Sequence, residues 1–166
     1  MNNNLRSSVF NIQKNIKNND ALVLLGDNFY QNGISDKCDP LINNFIDIFK
    51  DINNPIYNIL GNHDYQSNPS AQLNHSEWIM PNYYYKKEYS NVDLLFLDTV
   101  IFNTHFSVDK TKIEKVHNDN IDNLVNNQLN WLEDNLKYSN KKKKIVFGHY
   151  PIITNGYYKK KGEDVL

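Results

Sequence analysis

Three short clusters in this sequence carry residues whose chemistry suits holding cations. Gly26-Asp27-Asn28-Phe29-Tyr30, Gly61-Asn62-His63-Asp64 and Gly148-His149-Tyr150-Pro151 each follow directly on an apolar run. A carboxylate such as Asp27 has two oxygens and can bridge two metals. Asn62 offers a neutral amide oxygen and His149 an imidazole nitrogen, a mixed set that suits hard or borderline cations. Tyr30 is an unusual donor, because a phenol in water gives up its proton only near pH ~10. A strongly acidic cation such as ferric iron could hold it as phenolate. Taken singly, the clusters have plainer readings: Gly26-Asp27 also fits a simple turn, and Tyr30 a core aromatic with a satisfied hydroxyl. Gly61-Asn62-His63-Asp64 is the most specific of them, and the three in series point to one site.

The elements that must position these residues are legible from the pattern. Ala21–Leu25, Ile56–Leu60 and Ile145–Phe147 are apolar runs of the kind that form strands buried on both faces. Sites in α/β sheets form at the carboxyl ends of strands. The three strands are therefore expected side by side in one sheet, with Asp27, Asn62 and His149 converging. The Gly that opens each cluster permits a sharp turn and close backbone approach. Asp39-Pro40 reads as a helix start, with Asp39 as N-cap and Pro40 at the first helical position. Leu41, Ile42, Phe45, Ile46 and Phe49 give that helix an apolar face. Val92 to Val100 reads as another strand, with Tyr83 to Tyr89 its antiparallel partner. Leu124, Gln128, Leu129, Trp131, Leu132 and Leu136 belong to an amphipathic helix near Ile121 to Lys137. Val9, Ile12 and Ile16 suggest a helix leading into the first strand; a strand before that helix is expected for such a fold and would precede Met1. Strands alternating with helices give an α/β layered fold, read as a single domain over residues 1–166.

At 40% hydrophobic and 13% aromatic, the 166-residue chain has the means to bury a core and is no disordered tail. Its 18 basic and 19 acidic residues leave a formal net charge of -1, which gives no reason to expect a nucleic acid or an anionic membrane as partner. The run Lys141 to Lys144 reads as a solvated turn before a strand. A single cysteine, Cys38, rules out an internal disulfide and fits a reducing compartment. No apolar stretch approaches the ~18 residues of a membrane span, and Met1 to Leu5 lacks the apolar run of a secretory signal. The compartment itself stays unknown. Asn74-His75-Ser76 fits a glycosylation acceptor pattern. His75, His105 and His117 have no motif around them and read as surface histidines.

The three clusters resemble the second, third and fourth metal-site motifs of purple acid phosphatases, which are calcineurin-like metallophosphoesterases. Ser70-Ala71-Gln72, Leu97-Asp98-Thr99-Val100 and Gln128-Leu129-Asn130-Trp131-Leu132 resemble the tartrate-resistant subgroup, whose mark is a Tyr three residues after the Asp of the second motif, as Tyr30 follows Asp27. The likeness covers nearly the whole chain from Val9 onward. It implies a metallophosphoesterase βαβ sandwich of two sheets flanked by helices, with the site at the sheets' edge. It also implies a dinuclear metal centre, Fe(III) with Fe(II), Zn(II) or Mn(II), that hydrolyses phosphate monoesters by in-line attack of an activated water. By the resemblance, Asp27 would bridge the metals, Tyr30 would bind the ferric ion, and Asn62 and His149 would bind the divalent ion. His63 would orient phosphate or protonate the leaving oxygen.

By the same resemblance, the family's first motif, Asp-x-Gly, would lie before Met1 and its last, Gly-His-x-His, beyond Leu166. The chain is thus expected to be an incomplete domain with surfaces left open for association, Trp131 and Tyr83-Tyr84-Tyr85 among them. Two other functions compete: an inactive remnant serving as a weak metal-binding or interaction module, and a phosphodiesterase acting on nucleotides or nucleic acid. Tyr30 and the near-neutral charge argue against the latter. The sequence is silent on the physiological substrate.

Overall fold

The computed structural model describes residues 3–103 and 108–151. Helix α1 (Asn3–Asn15) leads into strand β1 (Leu22–Leu24), with Val9 buried and Ile12 packed against the core. Helix α2 (Pro40–Phe49) starts where its sequence directs. The Asp39 carboxylate accepts the Leu41 N–H at 3.0 Å, and Ile42, Phe45, Ile48 and Phe49 are buried. Phe45 closes an aromatic cluster with Phe29 at 5.8 Å and Trp78 at 5.0 Å between ring centroids. This fixes α2 beneath the first candidate loop. Strand β2 (Ile56–Asn58) pairs parallel with β1, Leu22 opposite Ile56 and Leu24 opposite Asn58.

The rest of the chain builds a second sheet. Strand β3 (Tyr85–Glu88) pairs antiparallel with β4 (Val92–Phe96). Helices α3 (Lys110–His117) and α4 (Ile121–Tyr138) carry the chain to β5 (Lys143–Phe147), which pairs parallel with β4. This corrects the expectation of one sheet: β5 hydrogen-bonds to β4, not to β1 or β2. An apolar run followed by Gly marks where a strand ends. Which strand it joins depends on cross-strand packing, and here Phe147 stacks on Phe96 at 5.0 Å. The two sheets then face one another. Tyr57 stacks on Phe96 at 5.2 Å, Tyr85 on Phe96 at 4.4 Å, and the Tyr85 hydroxyl donates to the Asn58 carbonyl at 2.8 Å. The carboxyl ends of β1, β2 and β5 therefore still meet, at the edge between sheets.

Smaller corrections follow from local chemistry. The strand expected over Val92 to Val100 stops at Phe96, because Asp98 caps a short 3-10 turn (Thr99–Phe102) by accepting the Val100 N–H at 3.1 Å. Lys143 and Lys144 lie within β5 and not in a turn. Tyr85 is buried, whereas Tyr83, Tyr84 and Trp131 are half-buried, with Tyr84 against Trp131 at 5.0 Å. More open apolar side chains lie nearby and on β5: Ile145 and Val146 are 46% and 44% exposed, and Leu129 and Leu136 46% and 43%. No described helix is long and apolar enough to cross a membrane.

Candidate metal centre

The first loop turns through Gly26 at φ 88° and Asp27 at φ 55°. Both lie in the left-handed region, which Gly enters freely and Asp tolerates better than most residues. Loop crowding explains the glycines. A Cβ on Gly26 would sit 2.6 Å from the Gly61 nitrogen and 2.8 Å from His149 Nδ1, and one on Gly61 would collide with Asp27 Oδ1. Three backbones nest where side chains would hold them apart.

That nesting brings the sequence-derived residues together. Asp27 Oδ1 accepts the His63 N–H at 2.9 Å and lies 3.6 Å from His149 Nε2. Asp27 Oδ2 accepts the Tyr30 hydroxyl at 2.8 Å and lies 4.0 Å from His63 Nε2. His149 Nε2 is 3.2 Å from Asn62 Oδ1. His149 Nδ1 is 2.8 Å from the Leu25 carbonyl, which only accepts. Nδ1 therefore carries the proton of the neutral ring, and the Nε2 lone pair faces Asn62 and Asp27. A carboxylate oxygen, an amide oxygen and an imidazole nitrogen thus meet lone pair to lone pair, an arrangement a divalent cation would stabilise. Among the described residues no three His, Cys, Asp or Glu side chains cluster as a cation site. This donor set takes its third member from the Asn62 amide, and a phenol, Tyr30, adjoins Asp27. His63 is more open, its side chain 36% exposed against 12% for Asp27. Its Nδ1 is held 2.6 Å from the Gln31 carbonyl.

Behind the donors stand residues of the quoted motifs to which the sequence assigned no role. Thr99 Oγ1 accepts the N–H groups of His149 at 3.0 Å and Tyr150 at 3.1 Å, fixing the third loop. Asp64 is fully buried beneath the first two loops. Burial pushes its carboxyl above the usual range, opposed by hydrogen bonds from Gly61 and Gln72. Behind the loops, the buried Tyr65 hydroxyl donates to Asp98 and lies 2.8 Å from His117 Nε2. His117 is therefore no surface residue; its side chain is 9% exposed. His75 is half-buried, stacked on Trp78 at 4.2 Å, and His105 lies outside the described residues.

Comparisons with known proteins identify the family. A family model described as calcineurin-like phosphoesterase matches residues 4–166. The chain is 33% identical over 147 residues to tartrate-resistant acid phosphatase type 5 of Mus musculus, covering 80% of this chain and 44% of that protein. It is 32% identical over 151 residues to purple acid phosphatase 3 of Arabidopsis thaliana, covering 84% and 41%. Among solved structures it is similar to "GAP50 the anchor in the inner membrane complex of Plasmodium", with TM-score 0.61 and 28% identity, covering 93% of this chain and 52% of that one. The chain spans less than half the length of these two phosphatases.

Proposed function

This chain belongs to the calcineurin-like phosphoesterase family and has the metallophosphoesterase fold, and we propose that it contributes to a two-metal centre of purple acid phosphatase type, hydrolysing phosphate monoesters. The observation that carries this reading is His149 Nε2 lying 3.2 Å from Asn62 Oδ1 and 3.6 Å from Asp27 Oδ1. Asp27, Asn62 and His149 would hold a divalent cation: zinc, manganese or ferrous iron. Asp27 and Tyr30 would hold ferric iron. When bound, the cations supply an activated water and offset charge developing on the phosphoryl oxygens. The chain's own residues orient that chemistry. The Leu25 carbonyl keeps His149 in the tautomer that ligates, and the two glycines keep the donors close. His63, pinned through Nδ1 to Gln31, leaves Nε2 to hold a phosphate oxygen or hand a proton to the leaving group.

Two donors, Asp27 and Tyr30, are too few to hold ferric iron firmly, so the 166-residue chain alone is expected to bind zinc or manganese with little turnover. The test is calorimetric titration with each metal, beside Asp27→Asn and His149→Ala. A chromogenic phosphate monoester is assayed at mildly acidic pH with iron and zinc, and a bis-ester in parallel. We expect both substitutions to weaken metal binding at least about tenfold. Binding that neither substitution alters would overturn the donor assignment. Robust monoester turnover, lost in Asp27→Asn and His63→Ala, would show that the remaining ferric donors are dispensable or come from another chain. Preference for the bis-ester would move the reading to a diesterase.

A second reading draws on the solved relative whose printed description is an anchor. The same fold would then serve as an interaction module. A folded chain with neither metal binding nor turnover is the result that favours it.

A further inference from the structure

Beneath the candidate centre lies a buried polar cluster that the proposed chemistry does not use. Asp64, Gln72 and Asn58 are fully buried, and Asn28 reaches into the same space. Every contact to the Asp64 carboxylate comes from a donor. Oδ1 accepts the N–H groups of Asn28 at 3.2 Å and Phe29 at 3.3 Å and the Gln72 side-chain amide at 2.8 Å. Oδ2 accepts the Gly61 N–H at 2.9 Å, with Asn28 N at 3.3 Å and Asn28 Nδ2 at 3.4 Å. The Gln72 oxygen in turn accepts from Asn58 Nδ2 at 3.1 Å and Asn28 Nδ2 at 3.3 Å. Asn28 Nδ2 also donates to the Ile59 carbonyl at 2.9 Å.

The placement of these donors is informative. Asn28 and Phe29 directly follow Asp27, and Gly61 directly precedes Asn62. One carboxylate therefore holds the loop that carries Asp27 against the loop that carries Asn62, and Gln72 holds the carboxylate. We infer that Asp64 is a positioning residue, setting the spacing between Asp27 and Asn62 through the backbone amides of both loops, with Gln72 fixing its orientation. The inference rests on the functional reading for its purpose, but its geometry stands in the metal-free protein.

Asp64→Asn is nearly isosteric, and whichever way its amide turns, an NH2 group meets backbone N–H donors. A buried donor left without an acceptor costs far more than the bond itself contributes. The discriminating variant is the pair Asp64→Asn with Gln72→Glu. It restores the bond between positions 64 and 72 with donor and acceptor exchanged. The amide nitrogen at position 64 then points to position 72, and its oxygen still faces Gly61. Phe29 remains without its acceptor, whereas Asn28 N keeps the oxygen at the Oδ2 place, 3.3 Å away in the wild type.

The experiment is hydrogen exchange by NMR on the full metal-free chain, with thermal melts and zinc titration of wild type and both variants. Asp64→Asn is expected to speed exchange at Asn28, Phe29 and Gly61 about tenfold or more relative to β4 amides, and to weaken zinc binding at least about tenfold. The double variant should recover the melting temperature and the Gly61 protection, while Phe29 protection and zinc affinity stay impaired. Recovery of all of these together would assign Asp64 to core packing and overturn the inference. Unchanged exchange at the three amides in a folded Asp64→Asn would overturn it as well. Wild type that binds no zinc would refute the functional reading alone, because the three amides report the loop anchoring without metal.

Discussion

At the scale of single residues, the centre depends on groups that carry no metal chemistry. Gly61 is the clearest case, since a methyl there would strike Asp27 Oδ1 and the Asp27 nitrogen. Gly61→Ala is expected to cost roughly 1–3 kcal/mol, as overpacking of a tight site does, and to abolish zinc binding by separating Asp27 from His149. Denaturant melts and calorimetry check the two effects. Wild-type zinc affinity in a folded Gly61→Ala would show that the loops do not need their close approach. Thr99 is subtler. Thr99→Val keeps the volume but removes the acceptor shared by the His149 and Tyr150 amides. Loss of about 1–3 kcal/mol should accompany a several-fold weaker zinc site, and an unchanged titration would detach Thr99 from the centre. The convergence of Asp27, Asn62 and His149 was legible because each follows an apolar run and a Gly. Asp64, Gln72 and Thr99 stand in motifs the sequence also showed, but their roles were not legible, because Asp64 reaches Asn28 across 36 positions and Thr99 reaches the third loop. Thr99 meets His149 across 50 positions, a separation no local pattern encodes.

At the scale of elements, the same limit explains what the sequence hid. Strand ends and helix starts are written locally, as at Asp39-Pro40. Strand partners are not, so β5 was expected beside β1 and β2 and lies beside β4. The buried group of Tyr65, Asp98 and His117 is a further case: it joins the turn after β2, the end of β4 and the last residue of α3. Burial pushes the Asp98 carboxyl from 3.8 up to about 7 and His117 from 6.5 down to about 4. The signs oppose. The raised carboxyl contributes stability in full below its unfolded value, lost as pH rises through about 7. The depressed imidazole contributes above its unfolded value, lost as pH falls through about 4. Between those limits the two largely offset in wild type. Relative to wild type, Asp98→Asn should lose stability, by roughly 2–3 kcal/mol, as pH falls across that window. His117→Gln should gain a similar amount. Taking differences from wild type cancels the raised carboxyl of Asp64, which stays in place in all three proteins. Denaturant melts across the window measure each slope, and parallel slopes for the three would show that neither group titrates as its burial dictates.

At the scale of the whole molecule, the described surface is unbalanced. The core is well filled, from Tyr57 and Phe96 between the sheets to Ile113 on the buried face of α3. Besides Leu129 and Leu136 on α4, two apolar regions face outward among the described residues. One is the outer edge of β5, where Ile145 and Val146 are exposed and no strand pairs on the far side among the described residues. The other is a groove of about 780 Å³ beside β1, lined by Ile12, Leu22, Leu24, Leu41, Phe45 and Phe49. An edge strand with unpaired backbone groups and apolar side chains is a template for another chain, and natural proteins blunt such edges with charge. Lys143 and Lys144 begin β5, yet the two residues after them carry none. The purified chain is therefore expected to self-associate, with an average sedimentation coefficient that rises with concentration. Ile145→Lys places charge on the open edge at a side chain that is 46% exposed. It should shift the protein toward monomer at equal concentration, with a stability change within about 0.5 kcal/mol, as is usual for surface substitutions. If Ile145→Lys associates as wild type does, the β5 edge is not the contact. A matching Leu22→Lys, tested in the same sedimentation series, then asks whether the groove beside β1 is the surface that binds.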